Sequence, residues 1–249
     1  MQSPPDSPNR SDSIAEPPPR HPGWEIFQRI RSSEGDKIYW ETEGFRASYF
    51  VFSQNFLALR SLIENFQNPE NRAKFIGIDK RELLKLIQME HMRHFHNFLA
   101  GAATLIDHSS AFVNRLYRNH SLRGEYRSKV QEIFGNSGPA GLVKGLRNWI
   151  VHRDIVPVKF VFGLFTNRTQ FVMLDIKELR AYDNWDARAK AFLAGCDSDL
   201  QLLPIVQAYH DQVEQLYAWL GERMGQVHAS AFKELAELKR QYTQAHFGT

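Results

Sequence analysis

Hydrophobic positions recur every three or four residues over most of the chain, the spacing of one buried helix face. Phe45, Tyr49, Phe52, Phe56, Leu59 and Ile63 predict a helix from about Gly44 to Gln67, which Asn68-Pro69 stops. A second stripe from Leu84 through His91, Phe98, Leu105 and Phe112 to Leu116 predicts a long helix ending near Tyr117. Asp79 stands at its expected N-cap, with Glu82 at the capping-box position. At ~38 residues it would span ~57 Å, with room for a kink near Gly101. The small residues Ala100-Gly101-Ala102-Ala103 would let a neighbouring backbone come close. Leu122 to Phe134 predicts a third helix, and Pro139 to about Arg153 a short fourth that Ser137 or Gly138 caps. From Trp24 to Trp40 apolar residues occur without a clear period.

The period then changes. "VPVKFVFGLF" and "TQFVMLDI" flank Thr166-Asn167-Arg168 and read as a β-hairpin. Helical spacing returns after Asp186, with amphipathic segments from Leu200 to about Gly225 and from Ala229 to about His246. The expected architecture is mainly α: a helical bundle with an inserted β-hairpin and a C-terminal helix pair. The organisation read from the chain is a tail over 1–23, a bundle over 24–155 and the hairpin with the last helices over 156–249, with no internal repeat.

Composition adds limits. Seven of the eleven prolines fall in residues 1–22, which predicts a tail without packed structure. The chain is 43% apolar and 24% charged, ordinary for a globular protein. Cys196, the single cysteine, excludes an intrachain disulfide and a Cys-rich zinc site. No apolar run is long enough for a membrane span, and no apolar leader segment opens the chain, so a cytoplasmic protein is expected. Net charge is only +3, but between Val113 and Asp154 eight basic residues face three acidic ones. Such a patch suits phosphate backbones, with Tyr117 and Tyr126 available for base stacking; a solvated basic surface fits as well.

Candidate chemistry centres on "GLVKGLRNWIVHRD", Gly141 to Asp154. On a helix, Leu142, Val143, Leu146, Trp149 and Ile150 share the face that would be buried. Arg147, Val151, Lys144, Asn148 and His152 follow in angular order on the other side, with Arg147 and His152 about 140° apart. Val151 among polar neighbours suggests that a partner covers this face. Imidazole moves protons near neutral pH, and guanidinium matches phosphate oxygens. Together with Asn148 as an orienting group, Arg147 and His152 could serve attack of an RNA 2′-oxygen on its own phosphate, with no metal or cofactor. One chain supplies a single such His; a two-fold axis would supply two. The bland alternative is a wet helix face.

Arg147-Asn148-Trp149-Ile150-Val151-His152 resembles the Arg-(Asn/His/Asp)-x-x-x-His signature of the HEPN superfamily, helical-bundle proteins that include many metal-independent endoribonucleases. The resemblance covers about residues 44–155, and residues 96–117 are similar to an uncharacterised bacterial branch. It implies a ribonuclease site at a homodimer interface, of the kind used in toxin–antitoxin and phage-defence systems, with an antitoxin or regulatory protein as a further partner. It equally admits a non-catalytic module that binds protein, RNA or nucleotide. On this reading Arg147, His152 and Asn148 are catalytic, Lys144, Arg153, Arg123 and Arg127 bind RNA, and His96 and Asn97 support the motif from behind.

Other features carry less. His91, His94 and His96 lie close in sequence, but His91 and His96 diverge by about 140° on a helix, so His91 reads as a core or interface residue and no metal is assigned. Asp107 and His108 are sequence neighbours and cannot share a helix face. Gly-rich phosphate loops and nucleophile elbows are absent from the sequence, and Cys196 has no basic neighbour to activate it.

Overall fold

The computed structural model describes residues 23–75, 77–163 and 170–248. The proline-rich tail and the turn Thr166-Asn167-Arg168 lie outside the described residues. The described residues form two compact units, one of 23–37 with 230–248 and one of 38–229.

In the smaller unit, α1 (Gly23–Ser32) is followed by the first residues of α2 (Glu34–Gln67), and α9 (Ala229–Phe247) supplies the rest. The aperiodic stretch from Trp24 to Trp40 is therefore helical. Its stripe is hidden because the helix stops and restarts at Ser33, whose hydroxyl donates to the Ile30 carbonyl (2.7 Å) and accepts from the Asp36 amide (3.2 Å). Ile30, Leu235 and Leu238 form its core.

The larger unit is the bundle. Its helices are the rest of α2, α3 (Arg81–Leu116), α4 (Leu122–Phe134), α5 (Gly138–His152), α6 (Ile176–Arg180), α7 (Ala187–Ala194) and α8 (Leu202–Val227). Phe52, Phe56, Leu59 and Ile63 of α2 meet Phe95, Phe98, Leu99 and Ala102 of α3 in one core. Gly101 lets the two helices close up: a Cβ there would lie 3.5 Å from the Phe52 Cα. Asp79 does not cap α3. It sits in a short 3-10 turn, Ile78–Lys80, pairs with Lys80 at 2.9 Å, and leaves Lys80 in the cap position with no side-chain bond. Glu82 accordingly makes no capping box and bonds Lys85 instead.

Strands β1 (Val158–Phe162) and β2 (Gln170–Leu174) pair antiparallel, Val158 opposite Leu174. A two-residue β3 (Leu200–Gln201) extends the sheet beside β2. The segment predicted as the start of a helix at Leu200 is thus this strand, and α8 begins at Leu202. Lys159 ties the sheet to its flanks, bridging Asp175 (2.8 Å) and Asp199 (2.5 Å). Val158, Val172 and Leu174 seal the inner face against the bundle core. The architecture is mainly α with an inserted hairpin.

Glycines make opposite predictions. A Cβ on Gly145 would meet the Trp185 ring at 2.2 Å, whereas Gly221 in α8 has open space around it. Gly145→Ala should lower stability by about 1–3 kcal/mol through overpacking. Gly221→Ala should raise it by roughly 0.5–1 kcal/mol through helix propensity. Urea titration of both variants checks the signs.

Candidate functional site

Three sequence features build α5. Ser137 caps it, accepting from the Ala140 amide at 3.1 Å, and Pro139 occupies the first turn where its missing N–H costs nothing. The buried stripe of Leu142, Val143, Leu146 and Trp149 faces the core. Gly138, Gly141 and Gly145 form a third side that the helical wheel alone left among the unassigned positions. The segment from Trp185 through α7 packs there at distances a side chain would forbid. A Cβ on Gly138 would lie 2.3 Å from Phe192, and one on Gly141 3.1 Å from the Ala189 backbone nitrogen. The helix is therefore covered on two sides, and the open sector is narrower than a single buried stripe implies.

Within that sector Val151 is 63% exposed, Lys144 and His152 are exposed, and Arg147 and Asn148 are half-buried. Ile155, just past the helix, and Ile106 on α3 add further exposed apolar surface. His152 has the angular position of the glycine side but is exposed, since it lies two turns beyond Gly145 at the end of the helix. Arg147 Nη2 donates to Asp107 Oδ2 at 3.2 Å, across from α5 to α3. Both side chains are largely solvated, so this ion pair is worth at most about 1 kcal/mol and yields readily to a stronger anion. The sequence alone does not pair Asp107 with Arg147, since only the packing of α3 on α5 brings residues 40 positions apart together.

The other site residues fall in three groups. Arg153 caps α5 and lies over the Trp149 ring, 4.2 Å from its centroid, where the packing holds its charge in place. Arg123 donates to Asn114 at 2.8 Å, and Lys144 lies 3.6 Å from Asp186. Arg127 is exposed and makes no ion pair or hydrogen bond with the described residues. His96 and Asn97 are half-buried on α3, and no hydrogen bond among the described residues joins them to Arg147, Asn148 or His152.

His91 lies fully inside the core. Its Nδ1 donates to the Ile87 carbonyl at 2.7 Å, and its ring sits edge-on to Phe66 and Phe160. Burial pushes its pKa below the ordinary histidine value. Among the described residues no group of three His, Cys, Asp or Glu side chains is placed to hold a metal ion. No described helix is long and apolar enough to cross a membrane.

No family model matches the chain, and no curated protein or solved structure matches it either. The HEPN resemblance therefore rests on the residues of the motif.

Two outcomes are expected. Asp107→Asn should change stability by less than about 1 kcal/mol, an effect that fades as salt rises, by denaturant titration in low and high salt. The unfolded chain binds a proton at His91 more readily than the folded one does. Stability should therefore fall as pH drops below the unfolded value of about 6.5 and continue falling through the lower folded pKa. His91→Leu should flatten that acid limb in thermal melts between pH 7 and 5.

Proposed function

We propose that the chain is a metal-independent endoribonuclease that works as a homodimer through the open side of α5. One observation carries this reading: Arg147, Asn148 and Val151 lie on the side of α5 left open by the core and α7, and His152 is exposed at the helix end beside them. Arg147 and His152 diverge by about 140° and are separated along the axis by about 7.5 Å, so one helix does not converge both on a single phosphate. A second copy across a two-fold axis pairs the Arg of one chain with the His of the other. Val151, with Ile155 just past the helix, supplies exposed apolar surface for that contact. In the composite cleft the imidazole moves the proton from the 2′-hydroxyl or to the leaving 5′-oxygen. The guanidinium, drawn off Asp107, holds the charge that builds on the phosphate, and Asn148 orients the pair. The products are a 2′,3′-cyclic phosphate and a 5′-hydroxyl. A cytoplasmic toxin or phage-defence effector, held by an antitoxin, is the biological setting that the HEPN resemblance suggests.

A second reading is a non-catalytic module that binds a protein, RNA or nucleotide partner; the Asp107 contact, which pairs Arg147 with a carboxylate of its own chain, favours it.

Purified protein incubated with total RNA in EDTA separates them. Cleavage with cyclic-phosphate ends, reduced about 10²–10⁴-fold in His152→Ala, is expected. Val151→Glu should lower both cleavage and dimer content in size-exclusion chromatography with light scattering. RNA binding without cleavage supports the second reading, and a Mg²⁺ requirement or unchanged activity in His152→Ala overturns the first.

A further inference from the structure

A second concavity opens beside α5, on the side facing α4 and α8. It encloses about 370 Å³ between α3, α4, α5 and α8, within the size range of small-ligand sites. Leu105, Val213 and Leu216 form a buried apolar floor, which half-buried Val130 and Phe134 and exposed Ile106 continue outward. Most hydroxyls of its wall are spent within the protein. Ser109 Oγ donates to the Leu105 carbonyl (2.5 Å), so the Tyr217 phenol, 2.8 Å away, donates to Ser109. Tyr126 lies beside the Ser109 and Ser110 hydroxyls. Tyr209 makes no hydrogen bond with the described residues. Burial raises the pKa of all three phenols, so the wall carries no negative charge.

The charges at the rim are of one sign. Arg127, Lys144 and Arg188 line the cleft, and no acidic residue among the described ones does. Arg188 is fixed by its bonds to the Phe134 carbonyl (2.8 Å) and Asp186 (3.0 Å). Lys144 is held only loosely, 3.6 Å from the same Asp186, and Arg127 has no partner among the described residues. Two movable cations therefore stand over an apolar pocket that asks for few hydrogen bonds.

These features select a ligand by exclusion. An inorganic anion satisfies the cations and leaves the floor wet. A neutral hydrocarbon fills the floor but takes water from the rim cations without replacing it. A polar ring finds most of its hydrogen-bonding partners already taken. A hydrocarbon chain that ends in one anionic group dries the floor and pairs the rim. We propose that this cleft binds a single medium-length alkyl carboxylate, its chain along Leu105, Val213 and Leu216 and its carboxylate at Arg127 and Lys144. The inference depends neither on cleavage at Arg147 and His152 nor on a second copy of the chain.

Calorimetric titration of the full chain with acetate, hexanoate, octanoate and decanoate tests it, with 1-octanol and octyltrimethylammonium as controls for the head group. Binding should be one to one and should tighten about threefold per added methylene until the cleft is full, the effect of burying a CH₂ group. Octanoate should bind about tenfold tighter than 1-octanol, the size of one charge-assisted contact. Arg127→Glu should cancel that preference and leave 1-octanol binding unchanged. Ser110→Trp, which fills the mouth, should abolish binding. Tyr209→Phe should leave octanoate binding equal or tighter, because an alkyl chain makes no hydrogen bond with that phenol. Arg127 is exposed and unpartnered, so its variant tests the site even if Ser110→Trp misfolds, which circular dichroism reports. Equal affinity along the chain-length series, unchanged octanoate binding in Arg127→Glu, preference for octyltrimethylammonium, or weaker octanoate binding in Tyr209→Phe overturns the proposal. So does capture by phosphatidylglycerol vesicles with no binding of the free acids at millimolar concentration. An Arg147→Ala/His152→Ala variant should still bind octanoate, which keeps this outcome distinct from that of RNA cleavage.

Discussion

The close approach of α7 to α5 governs what the rest of the molecule presents. Gly138, Gly141 and Gly145 recur at three- and four-residue spacing, so one side of α5 carries no side chains over its first turns. Trp185, Ala189 and Phe192 occupy the space that Cβ atoms would take. The contact clamps α5 between this segment and the core, so the helix cannot roll about its axis. Rotation by one residue step, ~100°, would drive Lys144 or Leu146 into Trp185. The orientation of Arg147, Asn148, Val151 and His152 toward solvent is thus a packing result, fixed by residues that touch nothing on the open side.

The same clamp organises the end of the helix. Trp149 packs with Tyr182 and Trp185, ring centroids 4.9 and 6.5 Å away, and Arg153 closes the stack from outside. The chain leaves α5 at this point and enters β1 through Val156, which is buried. A guanidinium over an aromatic ring near a helix C-terminus is favourable on two counts, by the ring quadrupole and by the helix dipole. It also spends Arg153 on structure. Of the basic residues that give this stretch its excess charge, Arg153, Arg123 and Lys144 all have a structural neighbour, whereas Arg127 is uncommitted. Net charge along a sequence overstates the cations available to a ligand for this reason.

What was legible from the chain follows the range of the interactions. The buried stripes of α2, α3 and α8 fall where three-and-four spacing puts them, from Phe52 to Ile63 and from His91 to Phe112. The bounds of α4 match, and Ser137 caps α5, because caps and turns are local. The two pairing hairpin strands were readable from their period. Helix between Trp24 and Trp40 was not, since a break at Ser33 divides its stripe. The strand β3 is two residues long and depends on β2 for its hydrogen bonds. At the candidate site, the Arg, Asn and His positions were readable as one sector of a helix. The glycine side and the Asp107 contact were not, because each needs a second element whose placement no local pattern encodes.

The Asp107–Arg147 pair then decides how the open sector behaves. An exposed pair at 3.2 Å is a weak bond for each partner but an effective organiser. It holds the guanidinium near the α3 side while it is unoccupied, and it limits the positive field on the sector. A phosphate diester offers the same planar fork two oxygens of like charge without an entropy cost for a second flexible side chain. Exchange of carboxylate for phosphate is thus close to neutral in contact energy, and what tips it is the surrounding charge. Arg127 and Lys144 lie on the same flank as the cleft beside α5, and neither is locked in a strong pair. A polyanion that reached them would gain attraction that an isolated small anion does not, so the pair would bias the sector toward extended anions.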